Sequence, residues 1–118
     1  MRDHTKLRAF DLADQLALMV YKTTRTFPKE EIFGLTSQVR RAAVSTASNI
    51  VEGCARNSKS DYIRFLDIAY GSAREVEYQI SLASRLGYVG KADIKPLTAL
   101  CCETSKVLNG LLRALRSD

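Results

Sequence analysis

The sequence predicts an all-α fold, an antiparallel up-down-up-down four-helix bundle in a single domain. Three observations carry that prediction. Apolar residues recur at three- and four-residue steps along four segments, and no segment alternates at period two for long enough to be a strand. Only 2 prolines and 6 glycines interrupt 118 residues, which favours long elements. The breaks are short, and short connections make consecutive helices antiparallel neighbours. At this length, with 46% hydrophobic residues, one core can hold without metal or disulfide staples.

The first helix is predicted from Leu7 to Thr26, with Phe10, Ala13, Leu16, Ala17, Val20, Tyr21 and Thr24 as its apolar stripe. Residues 1–6 precede the stripe and are expected to fray. Phe27-Pro28 ends the helix, because the residue before proline is pushed away from helical angles. Ile32 and Phe33, in the loop that follows, are expected to cover the end of the core.

The second helix follows Thr36, whose hydroxyl is a candidate N-cap. Its run from Gln38 to Arg56 is built mostly of small residues, which let helix backbones approach closely. At 100° per residue Val39, Ala43, Thr46 and Ile50 share one face, edged by Ala42, Ala47 and Cys54. Arg41, Ser45, Ser48 and Glu52 line the opposite face, flanked by Asn49 and Arg56. Gly53 costs about 1 kcal/mol against alanine inside a helix, so it marks close contact with a neighbouring backbone.

Ser58 with Asp61 three residues on resembles a capping box and opens a third helix, from Lys59 to Leu86. Tyr62, Leu66, Ala69, Ala73, Val76, Ile80 and Ala83 make its core face. Ile68, Ser72, Glu75, Gln79, Leu82 and Leu86 make a mixed second face, and Arg64, Gly71, Arg74, Tyr78 and Arg85 a basic third. Two partly apolar faces need two neighbours. Those are two helices of one bundle, or a helix and a second subunit; on the latter reading Ile68, Leu82 and Leu86 are candidate oligomer contacts. Gly87-Tyr88 reads as a Schellman stop. The fourth helix runs from Lys91 to Leu115, its regular part starting at Pro96, with Leu97, Leu100, Cys101, Thr104, Val107, Leu108, Leu111 and Leu115 as its stripe.

The balance of 18 Lys and Arg against 13 Asp and Glu gives a net charge of +5. A soluble domain can carry that charge alone; if it serves a partner, nucleic acid ranks ahead of a membrane surface. Cys54, Cys101 and Cys102 have neither metal spacing nor a C-x-x-C pattern, and read as small buried side chains in a reducing compartment. No apolar run is long enough to span a bilayer and the N-terminus lacks a signal-peptide core, so a cytoplasmic protein without membrane contact is expected.

Catalytic chemistry finds little support. The sole histidine is His4, in the segment expected to fray. The Glu-x-x-His pair of di-iron bundles is absent, and the glycines are too dispersed for a phosphate loop. No catalytic, cofactor-binding or metal site is expected, and the protein is read as a non-enzyme. Arg41, Asn49, Glu52 and Glu75 are read as a structural polar network.

Nucleic-acid contact is the better-supported chemistry. Arg64, Arg74 and Arg85 supply phosphate donors on one helix face, and Tyr78 between them can stack on a base. Arg40, Arg41, Arg56 and Lys59 add charge around the second helix. A merely solvated face is the commoner meaning of such a charge run. No sequence-reading module is present. The alternative is a protein-interaction module for an acidic or ribonucleoprotein partner, with no direct nucleic-acid contact.

An ordered set of motifs is more specific. Phe27-Pro28, Gly34-Leu35, Gln38, Arg40-Arg41, Ser45, Asn49, Glu52-Gly53, Arg56, Phe65-Leu66, Gly71-Ser72, Glu75 and Gly87-Tyr88 together resemble the bacterial four-helix-bundle proteins encoded in intervening sequences of 23S ribosomal RNA genes. The resemblance runs from about Phe10 to Val89. It implies a bundle that assembles into a homopentamer and has no enzymatic activity. It also implies kinship with the accessory proteins of diversity-generating retroelements, basic pentameric barrels that bind nucleic acid and a reverse transcriptase. The chain departs from the pattern in lacking a tryptophan in the first helix. It also has Thr46-Ala47 where relatives often carry Ile-Pro, which predicts a straighter second helix.

Overall fold

The four apolar stripes close on one another in the computed structural model, which describes residues 2–117. Helix α1 spans Arg8–Thr24, α2 Leu35–Cys54, α3 Lys59–Arg85 and α4 Lys91–Arg116, with short 3-10 turns at His4–Lys6 and Lys29–Glu31. Each helix packs on its neighbours in chain order, and α4 returns against α1, closing a four-membered ring. The result is an antiparallel bundle measuring 44 × 24 × 19 Å. Among the described residues there is no strand, and no helix is long and apolar enough to cross a membrane.

The core divides along the bundle axis. One layer holds Ala13, Ile50, Cys54, Leu66, Ala69, Ala73, Leu108 and Leu112, and the next holds Leu16, Val20, Val39, Ala43, Val76, Ile80, Leu97 and Cys101. All four helices contribute to both. Every residue assigned to the core face of the third helix is buried. In α1 the stripe is rotated from the expected one: Ala9 and Leu12 are buried, Phe10 and Ala17 lie at its edge, and Tyr21 is exposed. In α4 the inward line runs Leu97, Cys101, Thr104, Leu108, Leu112, so Leu100, Val107, Leu111 and Leu115 sit at the edge of the core.

Helices α2 and α3 approach closely at Gly53. A Cβ there would lie 3.0 Å from the Phe65 Cβ and 3.3 Å from the Tyr62 carbonyl oxygen, so the missing side chain sets the α2–α3 distance. Gly87, at φ 81°, forms the expected Schellman stop. Tyr88 N–H donates to the Ala83 carbonyl at 2.9 Å and Gly87 N–H to that of Ser84 at 3.0 Å. Helix α2 runs without interruption through Thr46-Ala47.

Five expectations change. Thr36 is not the N-cap of α2. Glu31 reaches forward instead, its Oε1 accepting from Leu35 N–H at 3.0 Å while Oε2 accepts from the Tyr88 hydroxyl at 2.9 Å. These two donors, the backbone one first, hold the Glu31 carboxyl below its ordinary pKa. At α3 only half of the capping box forms. Asp61 N–H donates to Ser58 Oγ at 3.1 Å, but the Asp61 carboxylate turns to Arg64. Of residues 1–6, Met1 lies outside the described residues and the others are tied down. Asp3 caps the first 3-10 turn, and Arg2 lies over the Tyr62 ring at 4.0 Å and donates to the Arg56 carbonyl at 3.0 Å. Pro96 lies inside α4, which begins a turn earlier, at Lys91. Phe33 covers nothing: it is 94% exposed.

Candidate nucleic-acid interface

Helical geometry gathers the α3 residues. Arg64, Arg74, Tyr78 and Arg85 are all exposed on one side of the rod. From first to last they span about 32 Å at 1.5 Å per residue. Tyr78 is 60% exposed, and the Arg85 guanidinium lies 6.0 Å from its ring centroid while Arg85 Nε donates to the Ser81 carbonyl at 3.3 Å. Arg64 Nε is 3.7 Å from Asp61, and Arg74 Nε 3.6 Å from Glu77. Arg74 also donates to the Tyr70 hydroxyl at 3.3 Å, and that bond, then Glu77, pushes its pKa further up. Exposed pairs of this kind are weak and screened by salt, so a phosphate can compete for both arginines.

The cations of α2 do not join them in one patch. Arg40 turns to α1, where its Nε donates to Thr24 Oγ1 at 2.7 Å and its guanidinium covers the Tyr21 ring at 4.8 Å. Arg41 is exposed above a groove of about 340 Å³ between α2 and α3, lined also by Gln38, Ser45, Ser72 and Glu75. Arg56 lies at the opposite end of α2, paired with Glu52 at 2.9 Å and 5.0 Å from the Phe65 ring. Lys59 stands nearby, exposed in the first turn of α3. Helix periodicity places adjacent arginines about 100° apart, and here that angle separates Arg40 from Arg41 onto different grooves.

The polar network also forms differently. Asn49 donates to the Ser45 carbonyl at 2.8 Å and to Ser45 Oγ at 2.9 Å, and Ser45 shares a 3.0 Å hydrogen bond with Ser72 across the α2–α3 seam. Glu52 is taken by Arg56, and Glu75 accepts weakly from the buried Gln79 at 3.5 Å. No ion pair among the described residues joins Arg41 to Glu52 or Glu75. The bridging residues are therefore the small serines. Their spacing on two separate faces was visible in the sequence, but the register between the helices was not.

Of the residues proposed for assembly, Ile68 is 43% and Leu86 51% exposed. Leu82 is half-buried against its own chain, packed on Leu35, Ala83 and Val89. Apolar exposure outside the proposed set includes Leu18, Val44 and Phe33. No group of three or more metal-ligating side chains gathers among the described residues. Cys54 and Cys101 are buried, and burial pushes the Cys101 thiol up to about 12. Cys102, contrary to expectation, is exposed and donates to Glu77 at 3.7 Å.

A search of curated protein sequences found no match. Among solved structures, the fold resembles that of a protein of unknown function from the S23 ribosomal protein family of Bacteroides thetaiotaomicron VPI-5482. The TM-score is 0.80 at 24% sequence identity, over 89% of this chain and 95% of that one. The model of the family described as 23S rRNA-intervening sequence protein matches residues 5–110, almost the whole bundle, and the chain belongs to that family.

Proposed function

We propose that the protein is a non-catalytic oligomeric scaffold that binds RNA or DNA through a basic surface without reading sequence. The observation that carries this reading is the α3 stripe: three exposed arginines and an exposed tyrosine along one side of a single helix. Arginines at that spacing track a phosphate backbone, and Tyr78 offers a base a flat face. The net charge of +5 adds a favourable long-range field, which assembly multiplies. Three free cysteines suit a reducing cytoplasm.

Reversing Arg64, Arg74 and Arg85 to glutamate is expected to abolish retention on a nucleic-acid column at low salt. Wild-type retention should fall steeply as salt rises, because bound phosphates release counterions. Retention that survives the triple reversal would remove α3 from the interface.

The proposed oligomer, a pentamer by what the resemblance implies, draws support from exposed Ile68 and Leu86 on the second face of α3. Leu86→Asp is expected to lower the mass measured by light scattering while leaving the helical circular dichroism unchanged. Leu86 is a cleaner probe than Leu82, whose substitution would also disturb Leu35 and Val89. An unchanged mass would place the contact elsewhere.

One observation favours a second reading, a protein-interaction module. Phe33 projects from the loop before α2 almost fully exposed, beside exposed Ile32. Aromatic side chains, phenylalanine among them, are enriched at protein interfaces. A partner that stays bound after nuclease digestion would select this reading.

A further inference from the structure

A second basic surface lies where α1 ends and α2 begins, and no residue of the α3 stripe belongs to it. It is a groove of about 350 Å³. Arg25, Lys29 and Arg40 line it, and no carboxylate does. None of the ion pairs among the described residues uses any of these three cations. Of the two acids in the same turn, Glu31 is occupied with Leu35 N–H and the Tyr88 hydroxyl, and Glu30 is exposed and outside the groove lining.

Two features mark the groove as built. Arg40 is held from both sides. Its Nε donates to Thr24 Oγ1, which itself donates to the Val20 carbonyl at 2.8 Å, and its flat guanidinium lies over Tyr21. Only the terminal nitrogens remain to act. Thr36 is the second feature. It is 3% exposed, lines the groove, and its hydroxyl has no hydrogen-bond partner. Because Glu31 caps α2, Thr36 is spared that task. Buried hydroxyls are seldom left without a partner, and those that are call for one.

Complementing the negative end of α1 accounts for Arg25, which caps that helix. It accounts neither for Lys29 from the next turn nor for the orphaned hydroxyl. Three cations with no ion-pair partner among the described residues suit a phosphate group. The cavity is larger than a phosphate, and its remaining wall is apolar: Phe27, Pro28 and Ile32.

We propose that this groove binds one nucleotide unit, its phosphate on Arg25, Lys29, Arg40 and Thr36 and its sugar and base against Phe27, Pro28 and Ile32. The unit is either a free nucleotide or part of a single strand. The proposal deepens the nucleic-acid reading but uses a different surface, so the two can fail separately.

The test is titration calorimetry with adenosine monophosphate and with a short single-stranded oligonucleotide. The wild-type protein is compared with Arg25→Glu/Lys29→Glu and with Thr36→Val. Arg25 and Lys29 are exposed, so their reversal leaves the fold intact, as a thermal melt would verify. The double reversal is expected to weaken the ligand about tenfold or more, and Thr36→Val to weaken it less. A mononucleotide that binds and loses affinity in these variants identifies a free-nucleotide site. Loss confined to the oligonucleotide identifies a strand site. Unchanged affinity for both ligands, or binding of neither, overturns the proposal. The Arg64/Arg74/Arg85 reversal run in parallel reports on α3 alone, since it should leave the mononucleotide affinity untouched.

Discussion

Leu66→Asp is expected to unfold the protein. Leu66 is fully buried in α3, in the core layer that Ala13 of α1, Ile50 of α2 and Leu108 of α4 complete. Removing its side chain alone, as in Leu66→Ala, should cost about 3 kcal/mol in lost transfer energy and cavity. Aspartate adds an ionised group with no cation in that layer. It must either stay charged in an apolar interior or take up a proton at the expense of a raised pKa. A domain of this kind has only about 5–15 kcal/mol of stability to lose. Circular dichroism of Leu66→Asp should therefore show a largely unfolded chain, while Leu66→Ala melts cooperatively at a lower temperature. A cooperative, wild-type melt for Leu66→Asp would mean that the layer is wet or wrongly assigned.

Gly53→Leu is the second severe change. An alanine at this site gains about 1 kcal/mol in helix propensity. It also meets the Phe65 Cβ at 3.0 Å and the Tyr62 carbonyl oxygen at 3.3 Å, atoms fixed to the α3 backbone that cannot swing aside. A leucine has no conformer that avoids them without separating α2 from α3. Overpacking of this kind costs about 1–3 kcal/mol and occasionally more, and a site bounded by backbone belongs at the upper end. The melting temperature should fall by roughly 10 °C or more. Gly53→Ala, where propensity and crowding oppose each other, should shift it far less. Equal stability of Gly53→Leu and wild type would show that the two helices are free to move apart.

Much of the architecture could be read from residue order. The core face of α3 was legible because its apolar residues fall at three- and four-residue steps from Tyr62 to Ala83; only Gln79, expected on the mixed second face, is buried with them. The stop at Gly87 was legible because few residues but glycine adopt its angle. In α4 the apolar arc is broad enough to admit several centres. Only the packed neighbours decide that Leu112 turns inward while Leu111 stays at the edge. The cap of α2 was hidden for a related reason. Glu31 can reach Leu35 because Tyr88, distant in sequence, holds its other oxygen.

The candidate site was only half visible. Periodicity suffices to align Arg64, Arg74, Tyr78 and Arg85, since one helix carries them all. It says nothing about Arg25, Lys29 and Thr36, which come from the end of one helix, a loop and the start of another. A groove of that kind exists only once the chain has turned. The expected network of Arg41 with Glu52 and Glu75 does not form because other partners take the carboxylates: Arg56 for Glu52 and Gln79 for Glu75.

The ring of helices has a kinetic consequence. Three of its four seams join consecutive helices, so most native contacts are local in sequence; only the α1–α4 seam spans nearly the whole chain. The largest loop-closure entropy therefore belongs to one step, the docking of the last helix on the first. The other seams can form hairpin by hairpin, which is the recipe for a fast-folding topology.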